Sequence, residues 1–230
     1  MKLFIQAITK ILLGIIIVGA LLFVPAKSFE YWNGWLFMGL LFIPMFVVGI
    51  ILMIKNPELL RKRLNAKEKE TEQKWVLLFS GLMFIAGFVV AGLNYRYKWM
   101  ILPNYVVVIS SILFVISYIL YGEVLRENQY LSRTIEVQKD QKVIDTGLYG
   151  IVRHPMYAAT IILFLSMPLV LGSLFSFIIF LVYPIIIGKR IKNEEEVLEK
   201  ELNGYTEYEK KVKYKMIPFL FWVGCNLVHK

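Results

Sequence analysis

Two short polar stretches in the second half of the sequence hold the residue types that could bind a charged small molecule. The first runs from Gly147 to Tyr157 and contains the triplet Arg153-His154-Pro155, and the second runs from Arg190 to Glu196 and contains three consecutive glutamates. Proline suits the first turn of a helix, because its missing N–H would have no partner there. A helix that starts at Pro155 would direct free N–H groups and a partial positive charge at the preceding turn, which suits a carboxylate.

The tyrosines and glycines of the first stretch extend this binding chemistry. Tyr149 and Tyr157 could offer their ring faces to a cation such as a sulfonium, and Gly147 would let the backbone approach a ligand closely. An ordinary explanation exists for each stretch alone. The first could be an interfacial helix start, and Arg190 with Glu194 could be a surface ion pair worth a few tenths of a kcal/mol.

The segment between the two stretches indicates how they come together. About thirty residues there carry no charge, which is enough for a helical hairpin that crosses a bilayer and returns. The sequence therefore predicts that both polar stretches lie on the same side of a membrane.

The rest of the chain has the composition of a membrane protein. Hydrophobic residues make up 58% of its 230 residues and charged residues 19%, against about 45–50% and about 25% in soluble domains. Several apolar runs approach the roughly 20 residues that cross a bilayer. We predict an all-α polytopic protein with about six transmembrane helices, the last two forming the hairpin, and we interpret the first as a retained span. The predicted spans are about Leu3–Val24, Trp32–Ile54, Trp75–Leu93, Tyr105–Gly122, Pro155–Leu171 and Leu174–Gly188.

Two charged segments outside the spans also have helical signals. The loop from Lys55 to Lys74 begins Asn-Pro-Glu, which predicts a short loop helix. The segment from Lys189 to Lys215 spaces apolar residues among charges, which predicts a helix beside the membrane or against the loop before the fifth span.

The distribution of positive charge predicts the topology. Lys27, Arg96 and Lys98 fall in the predicted external loops, and every other Lys and Arg falls on the opposite side. The positive-inside rule then places both termini and both polar stretches in the cytoplasm. The net charge of +9 is explained by these loops, so we expect no nucleic-acid binding. One Cys and two His exclude an internal disulfide and leave little for a metal site.

From about Glu123 to Tyr214 the sequence resembles the isoprenylcysteine carboxyl methyltransferase family and the broader group of membrane methyltransferases that includes phospholipid methyltransferases. It departs from the family pattern at Leu148, at Ala159 and in a shorter spacing before Tyr205. The matching residues are Gln141–Tyr149, Arg153–Tyr157, Arg190–Glu195 with Leu198, and Tyr205–Tyr208 before a basic stretch and Pro218.

The resemblance implies a methyltransferase that uses S-adenosylmethionine in a cytosolic pocket. A cytosolic C-terminal helix in the segment from Lys189 to Lys215 would close this cofactor pocket. Arg190 would hold the substrate carboxylate, Glu195 would pair with the ammonium group of the cofactor, and the helix start near His154 would hold its carboxylate. The resemblance implies catalytic roles for Arg190 and Glu195, and cofactor-binding roles for Gln141, Lys142, Val143, Ile144, Gly147, Tyr149, Arg153, His154, Pro155, Met156, Tyr157, Glu194 and Glu195.

The expected reaction is methylation of the carboxylate of an isoprenylcysteine-like or other lipophilic, lipid-linked acceptor, in contact with membrane lipids. A phospholipid or small-thiol acceptor, an NADPH-dependent isoprenoid or sterol reductase, and a non-catalytic binding protein remain as alternatives. Spans with almost no charge disfavour a transporter. We expect a single membrane domain, with residues 1–122 as a four-span scaffold and residues 123–230 as the methyltransferase-like region.

Overall fold

The computed structural model describes residues 2–64, 71–131, 135 and 137–218, and in those ranges every regular element is helical. A short 3₁₀ helix at Gly147–Gly150 lies between α5 and α6. The α-helices are α1 Lys2–Ala26, α2 Trp32–Lys55, α3 Pro57–Leu64, α4 Thr71–Tyr97, α5 Asn104–Glu127, α6 Pro155–Val170, α7 Leu174–Phe180, α8 Tyr183–Glu201 and α9 Tyr205–Lys211.

The long apolar helices confirm a helical, multi-pass membrane protein. Among the described residues, five stretches are long and apolar enough to cross a bilayer: Leu3–Ala26, Trp32–Lys55, Lys74–Tyr97, Asn104–Glu127 and Leu174–Glu201. Helix α6 has 16 residues and a length of about 24 Å, shorter than a hydrocarbon core of about 30 Å. The count of six spans and the cytoplasmic position of the termini therefore stay predictions.

The predicted hairpin is present, and its turn forms where the sequence placed it. Gly172 has a φ of +73°, a conformation that suits a residue without a Cβ. The hydroxyl of Ser173 then accepts a hydrogen bond from the backbone N–H of Ser176 at 3.2 Å and caps α7. Beyond the cap, the Ser176 hydroxyl donates to the carbonyl of Gly87 in α4 at 2.8 Å, which ties the hairpin to the scaffold.

The second arm of the hairpin differs from the prediction of one span ending at Gly188. It is divided between α7 and α8, and Pro184 in the first turn of α8 cannot donate the N–H that would continue α7. Helix α8 then continues through the charged residues to Glu201, because Lys, Arg, Glu and Leu are strong helix formers. Arg190 and Glu194 consequently lie in the middle of one rigid helix.

The helices share one hydrophobic core cluster, which includes side chains from α1, α2, α4, α5, α6, α7 and α8. Its most enclosed members include Leu22, Phe37, Phe114 and Phe180, each 0% exposed. Many other apolar side chains on these helices are exposed, as expected of surfaces that face lipid. The division into residues 1–122 and 123–230 stays a prediction.

Helices α1 and α4 approach each other at Gly92, which gives a test of the packing. A Cβ at this position would lie 2.5 Å from the carbonyl oxygen of Leu22, whereas a Cβ at Gly81 of the same helix would meet no atom within 4 Å. Gly92→Ala should therefore destabilise the protein by about 1–3 kcal/mol, and Gly81→Ala should be neutral or mildly stabilising. Thermal unfolding in detergent would measure the stability of the two variants. Equal effects would contradict the close packing of α1 against α4 at Gly92.

Candidate active site

A cavity lies between α8, the first turn of α6 and the connection from α5 to α6. Of the residues that the sequence predicts for the site, the following line it: Gln141, Lys142, Val143, Ile144, Tyr149, Arg153, His154, Met156, Tyr157, Arg190 and Glu194. Gly147, Pro155 and Glu195 do not line it. The folded chain thus brings the two polar stretches together around one space.

Gly147 does not line the cavity, but its backbone packs closely against a residue that holds the adjoining loop. Its φ is +52°, and a Cβ on it would overlap the carboxylate of Glu127. The Glu127 carboxylate accepts a hydrogen bond from the backbone N–H of Leu148 at 3.0 Å, so it holds the start of the 3₁₀ helix. Sequence reasoning missed Glu127, because nothing in its spacing marks it as the partner of a loop 20 residues later.

Tyr149 is fixed in the cavity wall by hydrogen bonds at both its hydroxyl and its carbonyl. Asn128 donates from its side-chain amide to the Tyr149 hydroxyl at 3.0 Å, and the Tyr208 hydroxyl donates to the Tyr149 carbonyl at 2.8 Å. Burial raises the pKa of the Tyr149 phenol well above its usual value, so this group is a neutral hydroxyl at physiological pH.

Arg190, Tyr157 and Glu194 form a hydrogen-bonded chain along the cavity wall. Arg190 donates from Nε to the Tyr157 hydroxyl at 2.9 Å, and that hydroxyl donates to Glu194 Oε2 at 2.5 Å. Arg190 is 9% exposed and Tyr157 is 4% exposed. This burial excludes the interpretation of Arg190 and Glu194 as a solvated surface pair, because the tyrosine bridges them inside the protein.

Glu195, although adjacent to Glu194, points into a separate charged cluster. Its Oε1 lies 2.9 Å from Arg153 Nη2 and 3.1 Å from His154 Nε2, and its Oε2 is paired with Lys215 Nζ. Both carboxylate oxygens therefore already have cationic or imidazole partners. The pairing of Glu195 with a cofactor ammonium, which the resemblance implies, stays a prediction, and Glu194 is the carboxylate that faces the cavity.

The C-terminal segment packs on the start of α6 through Arg153 and His154. The backbone N–H groups of these two residues donate to the carbonyls of Tyr214 at 2.9 Å and Lys215 at 2.8 Å. The Arg153 guanidinium also forms an ion pair with Glu209 at 2.9 Å. The segment after α8 thus lies against the loop before α6, one of its two expected positions, whereas its role in closing a pocket stays a prediction.

These contacts reduce the number of free N–H groups at the N-terminus of α6. The His154 N–H donates a hydrogen bond to the Lys215 carbonyl, and the Tyr157 N–H donates to the His154 carbonyl at 3.1 Å. Pro155 has no N–H. The expected carboxylate site at this helix start therefore has fewer available donors than the sequence suggested.

Several wall residues were not assigned to the site from the sequence, although Leu198, Tyr205 and Tyr208 were among the residues that match the family pattern, and they come from three separate parts of the chain. They have no shared spacing, but the apolar residues of α8 and α9 could have been found from their helical periodicity. The additional residues are Asn128, Tyr130, Leu131, Ile135, Val197, Leu198, Leu202, Tyr205 and Tyr208.

Helix α3 also lies beside the site, although its sequence indicates only an ordinary loop helix. Lys62 donates from Nζ to the side-chain oxygen of Gln138 at 2.6 Å. Arg63 lies 4.0 Å from the sulfur of Met156 and 5.4 Å from the ring centre of Tyr121. Residues 65–70 of the predicted loop lie outside the described ranges.

Comparison with known proteins relates the chain to a methyltransferase family and to a sterol reductase. Residues 111–200 match the model of the isoprenylcysteine carboxyl methyltransferase (ICMT) family. The chain is also 29% identical over 91 residues to the Delta(14)-sterol reductase TM7SF2 of Mus musculus, a match that covers 38% of this chain and 22% of that protein. The chain therefore spans less than a quarter of that relative. The segment of residues 111–200, which contains Arg190, Glu194 and the start of α6, is thus the part of the chain that is similar to the isoprenylcysteine carboxyl methyltransferase family.

Proposed function

We propose that the protein is an integral membrane methyltransferase that uses S-adenosylmethionine and methylates the carboxylate of an isoprenylcysteine-like or other lipophilic acceptor. The observation that carries the proposal is the single cavity that joins the Arg190–Tyr157–Glu194 chain to the segment around Gln141–Ile144. Most of its wall lies in the segment that matches the methyltransferase family.

The chemistry of the cavity wall suits this cofactor. Glu194 offers a carboxylate to an ammonium group, Tyr149 and Tyr157 offer aromatic rings to a sulfonium, and Val143 and Leu198 offer an apolar surface to a heterocycle. When bound, S-adenosylmethionine supplies an electrophilic methyl group on its sulfonium. The wall thus contains suitable groups for the ammonium, the sulfonium and the heterocycle of the molecule.

Arg190 would orient the acceptor carboxylate. Its planar guanidinium forms paired hydrogen bonds with carboxylates, and the bond to Tyr157 limits its rotation. A carboxylic acid with an ordinary pKa near 4 is already ionised at neutral pH, so this acceptor needs no general base. The protein would accelerate the reaction by holding the carboxylate in line and excluding water from it.

The position of Arg190 supports a lipophilic acceptor. The α7–α8 stretch that contains it is long and apolar enough to span a bilayer, and the residues before Lys189 are uncharged as far back as Pro155. A charge beside such a span is more often functional than incidental. An acceptor with an apolar tail in the lipid could then place its polar end at Arg190.

Calorimetric titration with S-adenosylhomocysteine, the product form of the cofactor, tests the proposal together with the role of Glu194. Glu194→Gln keeps the shape and an acceptor for the Tyr157 hydroxyl but removes the negative charge. We expect about tenfold weaker binding, since a charge-assisted hydrogen bond to the ammonium group becomes a neutral one. Glu196→Gln is the matched control, because Glu196 is exposed on the same helix and does not line the cavity.

The titration separates two failures. Equal affinity of the Glu194→Gln and Glu196→Gln variants would refute the role of Glu194 only. An absence of binding by a folded wild-type protein would refute S-adenosylmethionine as the cofactor.

An NADPH-dependent reductase is the second candidate, favoured by the similarity to a Delta(14)-sterol reductase. Two basic groups near the cavity, Arg153 and Lys215, are already paired with Glu195, which makes them poor partners for phosphate groups. Titration of the same preparation with NADPH distinguishes the two cofactors. Phospholipid amines, small thiols and a binding role without turnover are then separated by offering each acceptor with radiolabelled S-adenosylmethionine.

A further inference from the structure

Tyr205 lines the cavity, and its hydroxyl is buried without a hydrogen-bond partner among the described residues. Tyr205 is the first residue of α9, is 4% exposed, and lines the cavity. Within residues 2–64, 71–131, 135 and 137–218, the Tyr205 hydroxyl oxygen is the one buried side-chain polar atom without a hydrogen bond. A buried hydroxyl without a partner costs free energy, so its position requires an explanation.

The ring of Tyr205 is held firmly, so the hydroxyl has little freedom to find a partner elsewhere. It belongs to a small apolar cluster with Leu202, Tyr208 and Val212, against which Val143 and Leu198 pack. The rings of Tyr205 and Tyr208 lie with their centres 5.8 Å apart. Burial raises the pKa of the Tyr205 phenol far above its usual value, so the group is a hydrogen-bond donor.

The neighbouring phenols show what a purely structural tyrosine does here. The Tyr208 hydroxyl donates to the Tyr149 carbonyl at 2.8 Å, and the Tyr157 hydroxyl bridges Arg190 and Glu194. Both are buried and satisfied by the protein itself. Tyr205 differs from them because its hydroxyl has no hydrogen-bond partner in the part of the chain that the structure describes.

We propose that the Tyr205 hydroxyl donates a hydrogen bond to the adenosyl group of the bound cofactor. The acceptor is a ring nitrogen or a ribose oxygen, because Val143, Leu198 and Leu202 form an apolar wall beside Tyr205 that suits a flat heterocycle. Glu194 and Arg190, in contrast, bring charge to the cavity and suit the charged groups of the ligands. This inference rests on the proposed function, since it assumes an adenosyl ligand in the cavity.

Tyr205→Phe tests the inference, because it removes the hydroxyl and keeps the ring that packs in the cluster. We expect the dissociation constant for S-adenosylhomocysteine to rise about 3- to 10-fold, the loss that one hydrogen bond causes. The melting temperature of the ligand-free protein should stay the same or rise, since an unsatisfied buried group is removed. Tyr208→Phe is the matched control and should lower the melting temperature, because it leaves the Tyr149 carbonyl without its donor.

Every outcome of these measurements either supports or overturns the inference about the Tyr205 hydroxyl. Weaker binding with an undiminished melting temperature supports the inference. Unchanged affinity overturns it and leaves the proposed function intact. A fall in melting temperature like that of Tyr208→Phe also overturns it, since the hydroxyl would then have a structural role. Failure of the folded wild-type protein to bind S-adenosylhomocysteine overturns both the inference and the proposed function.

Discussion

Arg190→Lys should lower methyl-transfer turnover by about two orders of magnitude while changing the affinity for S-adenosylhomocysteine by less than about threefold. Lysine keeps the positive charge but loses the planar fork that would hold a carboxylate at two points. It also loses the Nε–H that donates to Tyr157. Misplacement of a reacting group by about 1 Å can cost about 100-fold in rate. Transfer of a radiolabelled methyl group from S-adenosylmethionine to N-acetyl-S-farnesylcysteine would measure the turnover, and calorimetry would measure the affinity.

Two further variants serve as comparisons for Arg190→Lys. Lys192→Ala changes an exposed cation on the same helix and should leave both measurements unaltered. Tyr157→Phe removes the hydroxyl that links Arg190 to Glu194 and should lower turnover less than the loss of the guanidinium does. Equal losses of turnover and cofactor affinity in Arg190→Lys would contradict the assignment of Arg190 to the acceptor. Unchanged turnover would remove Arg190 from the reaction.

Glu195→Gln should destabilise the protein by about 3–5 kcal/mol, the cost of removing one partner from a buried ion pair. The side chains of Glu195 and Arg153 are 7% and 5% exposed, so the buried guanidinium would lose its buried carboxylate partner and keep the ion pair with Glu209, which is 30% exposed. Lys215 would lose the same partner. The contacts between the C-terminal segment and the start of α6 should loosen first. Thermal unfolding of the detergent-solubilised, ligand-free protein measures the loss as a fall in midpoint.

The matched control for this variant is an ion pair on the protein surface. Glu123 pairs with Arg126 at 2.5 Å, and the two side chains are 39% and 71% exposed. Glu123→Gln should therefore have little or no effect on stability, because an exposed ion pair is screened by solvent. If Glu195→Gln has an equally small effect, the cluster around Glu195 does not hold the C-terminal segment in place. Proteolysis between residues 203 and 218 gives an independent measure of that attachment.

The sequence by itself determined the features that depend on local chemistry. Apolar runs of membrane-spanning length predicted α1, α2, α4 and α5 to within a few residues. Pro155 predicted the start of α6, and Gly172-Ser173 predicted the turn before α7. The order of the polar motifs around the hairpin also predicted the family that residues 111–200 match. Each of these signals is complete within a short stretch of chain.

Only the tertiary structure decided what the polar side chains touch. Glu194 and Glu195 are adjacent in the sequence, but successive residues of a helix point about 100° apart. The packing of α8 against α6 and the C-terminal segment turned Glu194 to the cavity and Glu195 to Arg153. The same packing placed Tyr205, whose buried hydroxyl has no hydrogen-bond partner among the described residues, in the cavity wall. Contacts between segments far apart in the chain set these orientations, and the spacing of residues in the sequence does not predict such contacts.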